Sequence, residues 1–254
     1  MTKKYLNKIL NARVYDVARE TPLDDANTLS QRLGNRILIK REDLQPVFSF
    51  KVRGAYNKLI GLSEADKKKG VIAASAGNHA QGVAYHAQNL GIPATIVMPR
   101  FTPFNKIRHT QGFGAHVVLE GDTLEESKAH ADMLAATEGL TFIHPYDDYD
   151  IIEGQSTIGY EINKELVPDY VICPIGGGGL ISGLYQSIPK SSQIIGCEPE
   201  GADSMLYALQ NNKPLTLPKL DNFVDGASVG KVGQKTFEIC RDIFSDLNNI
   251  KVIS

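Results

Sequence analysis

The chain contains no tryptophan, only 3 cysteines and little excess charge of either sign. Each shortage excludes something. Cys173, Cys197 and Cys240 sit in apolar contexts without C-x-x-C spacing, which argues against a disulfide framework or a cysteine-based zinc site and fits core thiols in a reducing compartment. The 27 basic and 29 acidic residues leave a net charge of −2 with no basic block, so nothing recommends a nucleic-acid partner. A membrane-spanning helix needs about 20 consecutive apolar residues, and no such run occurs. After Lys3 and Lys4 comes Tyr5-Leu6-Asn7-Lys8 in place of an apolar run, so no signal peptide is visible and a cytoplasmic location is expected. What remains is 254 residues, 42% hydrophobic and 22% charged. That is enough for one large domain or two lobes, and small-molecule chemistry is the better expectation.

Residues 1–33 read as helical with turn breaks, Thr21-Pro22-Leu23 being an extended or turn segment before a second helix. Ile37 to Lys40 has the look of a short strand. Downstream, strand and helix patterns alternate: strands at 71–75, 94–98, 116–119 and 141–144, helices at 78–90, 103–111 and 123–137. A second series runs through a helix at 153–166, with Ile158, Ile162 and Leu166 on one face. Strands at 170–175 and 193–198, helices at 180–187, 204–210 and 231–243, and an apolar run at 250–253 follow. Such alternation predicts an α/β protein with parallel sheets flanked by helices. The acidic, turn-prone stretch 145–150 reads as a lobe boundary, giving a small lobe at 43–149 and a large lobe from 1–42 and 150–254. The chain stops at Ser254 directly after a strand-like run, where a covering helix is expected; the large lobe is therefore expected to be incomplete, with further polypeptide beyond it.

Three stretches carry chemistry. In Ser49-Phe50-Lys51-Val52-Arg53-Gly54-Ala55 a lysine lies between an aromatic residue and a small-residue helix start. A lysine amine attacks carbonyl carbon only when uncharged, and an ordinary one is neutral at pH 7 in roughly one molecule of several thousand. A reactive Lys51 therefore needs desolvation. Phe50, Val47 and Val52 are expected to form the low-dielectric wall, with Lys40, Arg41 and Arg53 keeping the neighbourhood positive. By itself the stretch also suits a solvated surface lysine. In Pro174-Ile175-Gly176-Gly177-Gly178-Gly179-Leu180 glycines join a strand to a helix, so backbone amides can converge on a phosphate at the helix start. The spacing matches neither the dinucleotide pattern nor the P-loop; a monophosphate suits it better, and a tight turn or linker is the plain alternative. Ser75-Ala76-Gly77-Asn78-His79 repeats the strand-turn-helix logic with donors suited to a carboxylate or phenolic oxygen, although simple N-capping explains it as well. His79 has no histidine partner at metal-ligand spacing, and no metal site is expected.

Taken together, and in this order with Lys40-Arg41-Glu42-Asp43, these motifs resemble the fold-type II pyridoxal-phosphate enzymes of the tryptophan-synthase-β-like fold. Within them the chain is most similar to the threonine dehydratases (threonine deaminases) of the biosynthetic type. The resemblance covers nearly all of Tyr15 to Ile253. It implies that Lys51 is the Schiff-base lysine, that Phe50 lies against the cofactor, and that Asn78 hydrogen-bonds the pyridine 3-hydroxyl. Gly176, Gly177, Gly178, Gly179 and Leu180 would hold the phosphate, while Ser75 with the Ala76, Gly77, Asn78 and His79 amides would grip an amino-acid carboxylate. The implied reaction is dehydration and deamination of threonine to 2-oxobutanoate and ammonia, a first step towards isoleucine, with Lys51 removing the α-proton; serine would give pyruvate. A homotetramer is implied as well. Serine racemases carry a second serine where this chain has Ala76, which disfavours racemisation. Cation-binding relatives use E-P-x-x-A-x-D, whereas Glu198-Pro199-Glu200-Gly201-Ala202-Asp203-Ser204 lacks the last ligand. The family's partner for the pyridine nitrogen and its isoleucine-sensing regulatory domain are expected outside this sequence. The rivals are serine dehydratase or another β-eliminating enzyme, and a non-catalytic fragment of the same fold.

Overall fold

The computed structural model describes residues 12–254; the helical reading of residues 1–11 lies outside them. After a 3-10 turn at Arg13–Asp16, β1 (Leu23–Asp25) leads into α1 (Asn27–Leu33), and β2 (Leu38–Lys40) returns antiparallel with Leu23 opposite Lys40. Strands this short carry too little alternation to be told from a turn by sequence, so β1 is a strand only through its partner.

The middle of the chain runs α2 (Lys51–Ile60), α3 (Glu64–Lys69), β3 (Val71–Ala74), α4 (Asn78–Leu90), β4 (Ala94–Met98), α5 (Phe104–Gly112), β5 (His116–Leu119), α6 (Leu124–Glu138) and β6 (Thr141–Phe142). Its strands form a parallel sheet in the order β5-β4-β3-β6. All of β3 is buried, as a central parallel strand covered on both faces must be. The remainder is α7 (Tyr149–Glu165), β7 (Tyr170–Pro174), α8 (Gly179–Ser187), β8 (Gln193–Pro199), α9 (Ser204–Gln210), α10 (Gln234–Ile243) and β9 (Ile250–Ile253). Its sheet is parallel in the order β7-β8-β9. Local capping sets several starts: Thr123 Oγ1 accepts from Glu126 N at 3.2 Å before α6, and Asp148 Oδ1 from Asp150 N at 2.8 Å before α7.

Each parallel sheet has its own core. Leu59, Val71, Val83, Ile96 and Ile151 pack around the four-stranded sheet, and Ile175, Ile181, Met205, Phe237 and Cys240 around the three-stranded one. Helix α7 connects the two cores. A Cβ at Gly154 would lie 2.5 Å from Gly54 Cα, so α7 meets α2 at backbone distance, and a Cβ at Gly183 would lie 2.8 Å from Ser156 N, so α8 packs as tightly on its other side. Cys173 and Cys240 are buried free thiols and Cys197 a partly buried one. Among the described residues no helix is long and apolar enough to cross a membrane.

Candidate active site

Lys51 is the first residue of α2, and its backbone N–H donates to Ser49 Oγ at 3.3 Å. The side chain is half-buried, and its amine donates to the Pro145 carbonyl at 2.8 Å, 5.5 Å from the centre of the Phe50 ring. Burial alone pulls this amine from 10.5 down to about 8. That single cause corrects the expected positive neighbourhood. Arg53 Nε and Nη2 donate to Glu42 at 2.8 Å, and its Nη1 and Nη2 are both bound by Glu161. Lys40 pairs with the same Glu161 at 2.6 Å, and Arg41 with Asp24 and Asp43. The cations are spoken for by carboxylates, so the cluster offers no uncompensated positive charge. Val47 and Val52 also do not form the expected wall, because they pack with Val14 and Ala18 in a separate cluster. Phe50 packs against the core of the three-stranded sheet.

At the end of β3, Ser75 Oγ accepts from Gly77 N at 3.2 Å, and Gly77 is the N-cap residue of α4. Asn78 is exposed at the first helical position, and Ala76 is half-buried. Among the described residues none accepts a hydrogen bond from the backbone N–H of Ala76, Asn78, His79 or Ala80. The His79 ring itself is turned inward: buried, it donates from Nε2 to Ile143 O at 2.9 Å, and burial pulls it down to about 3. What His79 presents at the turn is its amide.

At the end of β7, Gly178 takes φ of 90°, a left-handed conformation that favours glycine. A Cβ on Gly178 would stand 2.7 Å from Met205 Cε, and one on Gly177 would overlap the Tyr146 ring. The amides of Gly176, Gly177, Gly178, Gly179, Leu180 and Ile181 have no acceptor among the described residues. Two helix N-termini therefore carry free amides.

The stretch 145–150, expected to be a lobe boundary, is what brings these pieces together. Pro145 supplies the acceptor for Lys51; Tyr146 lies over Gly177 and Gly179 and donates to Lys231 O at 2.8 Å. His144 Nδ1 accepts from Tyr146 N at 3.2 Å and Asp147 N at 2.8 Å, which puts its proton on Nε2, and burial pulls it down to about 4. Helix α7 already starts inside the stretch, at Tyr149, and Lys58 pairs with both Asp148 and Asp150 at 2.8 Å. No local pattern marks Pro145, Tyr146 or Asp147 as site residues, since each acts on partners far away in the chain. Glu198, the first residue of the incomplete cation motif, is buried, and its oxygens accept from Met205 N at 2.8 Å and Leu206 N at 2.9 Å. Burial pushes it up to about 7.

The depressed amine makes a prediction independent of any ligand. Trapping of Lys51 by a small aldehyde and borohydride, read by peptide mass, is expected to rise with pH and level off above about 8. Exposed lysines should keep gaining up to their ordinary range near 10.4. A Lys51 profile parallel to theirs would contradict the burial seen here.

The α/β scaffold thus carries a desolvated lysine amine and two strand-to-helix turns with free amides, groups suited to carbonyl and anionic ligands. The family described as pyridoxal-phosphate dependent enzyme matches residues 14–249, and the chain belongs to it. A threonine dehydratase of Nicotiana attenuata is 50% identical over 248 residues, 96% of this chain and 41% of that relative. The biosynthetic L-threonine dehydratase of Pasteurella multocida is 45% identical over 250 residues, 96% of this chain and 48% of its own. The chain thus spans less than half the length of these relatives. The solved structure of the processed form of threonine deaminase isoform 2 from Solanum lycopersicum superposes with a TM-score of 0.94 at 47% identity. The match covers 99% of this chain and 74% of that one.

The residues present fit the family's cofactor. The free amides from Gly176 to Ile181 match a phosphate monoester, and the Lys51 amine, depressed to about 8, matches an aldehyde.

Proposed function

We propose that this chain carries the catalytic unit of a threonine ammonia-lyase, which converts L-threonine into 2-oxobutanoate and ammonia as a first step towards isoleucine. The observation that carries the reading is the Lys51 amine, desolvated to about 8 and hydrogen-bonded to Pro145 O, whose neighbour Tyr146 packs on the four-glycine turn. The relatives named as threonine dehydratases supply the substrate. Pyridoxal phosphate, when bound, supplies an electron sink that acidifies the substrate's α-carbon. The amides of Gly176 to Gly179 and Leu180 would hold its phosphate, Phe50 would lie against its ring, and Asn78, which is exposed, would donate to its 3-hydroxyl. Ser75, whose oxygen already accepts from Gly77 N, keeps its O–H to donate. With the Ala76, Asn78 and His79 amides it orients the substrate carboxylate. Lys51 then takes the proton from the α-carbon, a transfer that works best when the base titrates near the operating pH. The β-hydroxyl departs as water, and water re-enters to release ammonia and the keto acid.

The proposal extends to a homotetramer in the cytoplasm, for which the three free thiols suit a reducing compartment. It also includes a small lobe at 43–149, for which the self-contained four-stranded sheet speaks. Supplied with pyridoxal phosphate, the protein is expected to release 2-oxobutanoate from threonine faster than pyruvate from serine, read as keto acid in parallel assays. Pyruvate from serine with none from threonine would assign a serine dehydratase, and no keto acid from either would overturn the reading.

A further inference from the structure

We infer that Asp147 is a positioning residue that sets the four-glycine loop in register with the Lys51 amine, acting through the N-terminus of α10. The inference rests on the cofactor site proposed above. The N-cap residue of helix α10, Gly233, has no side chain to accept from the first helical amides, and within the helix only its own N–H is met, by Thr236 Oγ1 at 3.1 Å. The Asp147 carboxylate takes that place from across the molecule: Oδ2 accepts from Gln234 N at 3.1 Å, and Oδ1 from Lys235 N at 2.8 Å and Thr236 N at 3.3 Å. A Cβ on Gly233 would overlap this carboxyl group, so the close approach needs glycine.

The cap has a consequence one turn along. Buried Thr236 donates from Oγ1 to Gly177 O at 2.7 Å, and its Cβ stands 2.9 Å from where a Cβ on Gly178 would be. Because a peptide unit is planar and trans, holding the Gly177 carbonyl on the α10 side aims the Gly178 N–H the opposite way, among the other free amides. On its other side, Asp147 N donates to His144 Nδ1 at 2.8 Å in the same turn that offers Pro145 O to Lys51. One residue thus ties the amine's acceptor to the peptide that shapes the anion cradle.

A purely electrostatic role has the opposite sign. A carboxylate near an anion site repels, so its removal would strengthen phosphate binding. The test titrates the full cofactor-free chain with pyridoxal phosphate and with pyridoxal, which lacks the phosphate, following the visible band of the bound ligand. Asp147→Ala is expected to weaken pyridoxal phosphate binding roughly ten-fold or more, in line with the loss of a helix cap, and to leave pyridoxal affinity within about two-fold. Asp147→Asn, which keeps one acceptor oxygen, is expected to fall between. Thr236→Val, which keeps the Asp147 charge, is expected to show the same phosphate-selective loss, and the latter two carry the test where Asp147→Ala does not fold. Unchanged or tighter pyridoxal phosphate binding, or an equal loss for both ligands, overturns the inference. A wild-type chain that gives no band with either ligand overturns the cofactor site itself, an outcome visible before any variant is made.

Discussion

Lys51→Ala is expected to lower threonine turnover by about 10³-fold or more, since under the proposed function it removes both the covalent anchor and the proton acceptor. The visible band of the bound cofactor should vanish with it, and a band unchanged by the substitution would end the assignment. The fold, by contrast, should gain. In the cofactor-free protein the amine titrates near 8 when folded, against 10.5 ordinarily. Below pH 8 it is charged in both states, and the folded chain bears the full cost of burying that charge. Between 8 and 10.5 only the unfolded chain keeps the proton, so the wild type becomes more stable as pH rises. Lys51→Ala should therefore melt higher than the wild type at pH 7, with the gap closing towards pH 10. Melting curves across that range separate loss of chemistry from loss of structure.

Arg53→Ala is expected to be the most destabilising single change, by about 3–5 kcal/mol, a drop in Tm on the order of 10 °C for a chain of this size. Arg53 is fully buried, and besides its bonds to Glu42 and Glu161 it donates to Thr157 Oγ1 at 3.0 Å and Arg19 O at 3.2 Å. Without it, Glu161 keeps Lys40 at 2.6 Å and the Tyr15 hydroxyl at 2.9 Å. One cation would then face the Glu42 and Glu161 carboxylates. Burial alone would push Glu161 up, but Arg53 and Lys40 outweigh it and hold the carboxyl below its ordinary 4.5. Such a group stabilises above the unfolded pKa and loses that contribution as pH falls through the folded one. The gap between wild type and variant should therefore narrow below pH 4.5. A variant melting within a degree of the wild type at pH 7 would show that the network adds nothing to stability.

The strand-helix alternation from 71 to 142 was legible because each element is long enough to show its period and is flanked by glycine or a capping residue. Helix 78–90 is found at those bounds, and the helix expected at 123–137 is shifted by one because Thr123 is its cap. Of the two short strands, β2 falls within the strand expected at 37–40, whereas β1 was not legible, since Leu23–Asp25 is a strand only by virtue of that partner. In sequence the stretch 145–150 looks like a divider, because its acidic residues suit a solvated turn. In the structure Asp147 caps a helix far along the chain, and Asp148 and Asp150 pair with Lys58.

Residue chemistry written along the chain determined which amine, which glycines and which serine could do this work. Conformational freedom at Gly178 and the presence of an amine at Lys51 belong to the residues themselves and are visible without a partner. Whether that amine is charged, which carboxylates silence Arg53 and Lys40, and what aims the Gly177 peptide were decided by the fold alone. Desolvation and pairing depend on which distant groups share a small volume, and proximity of that kind is a property of the packed chain.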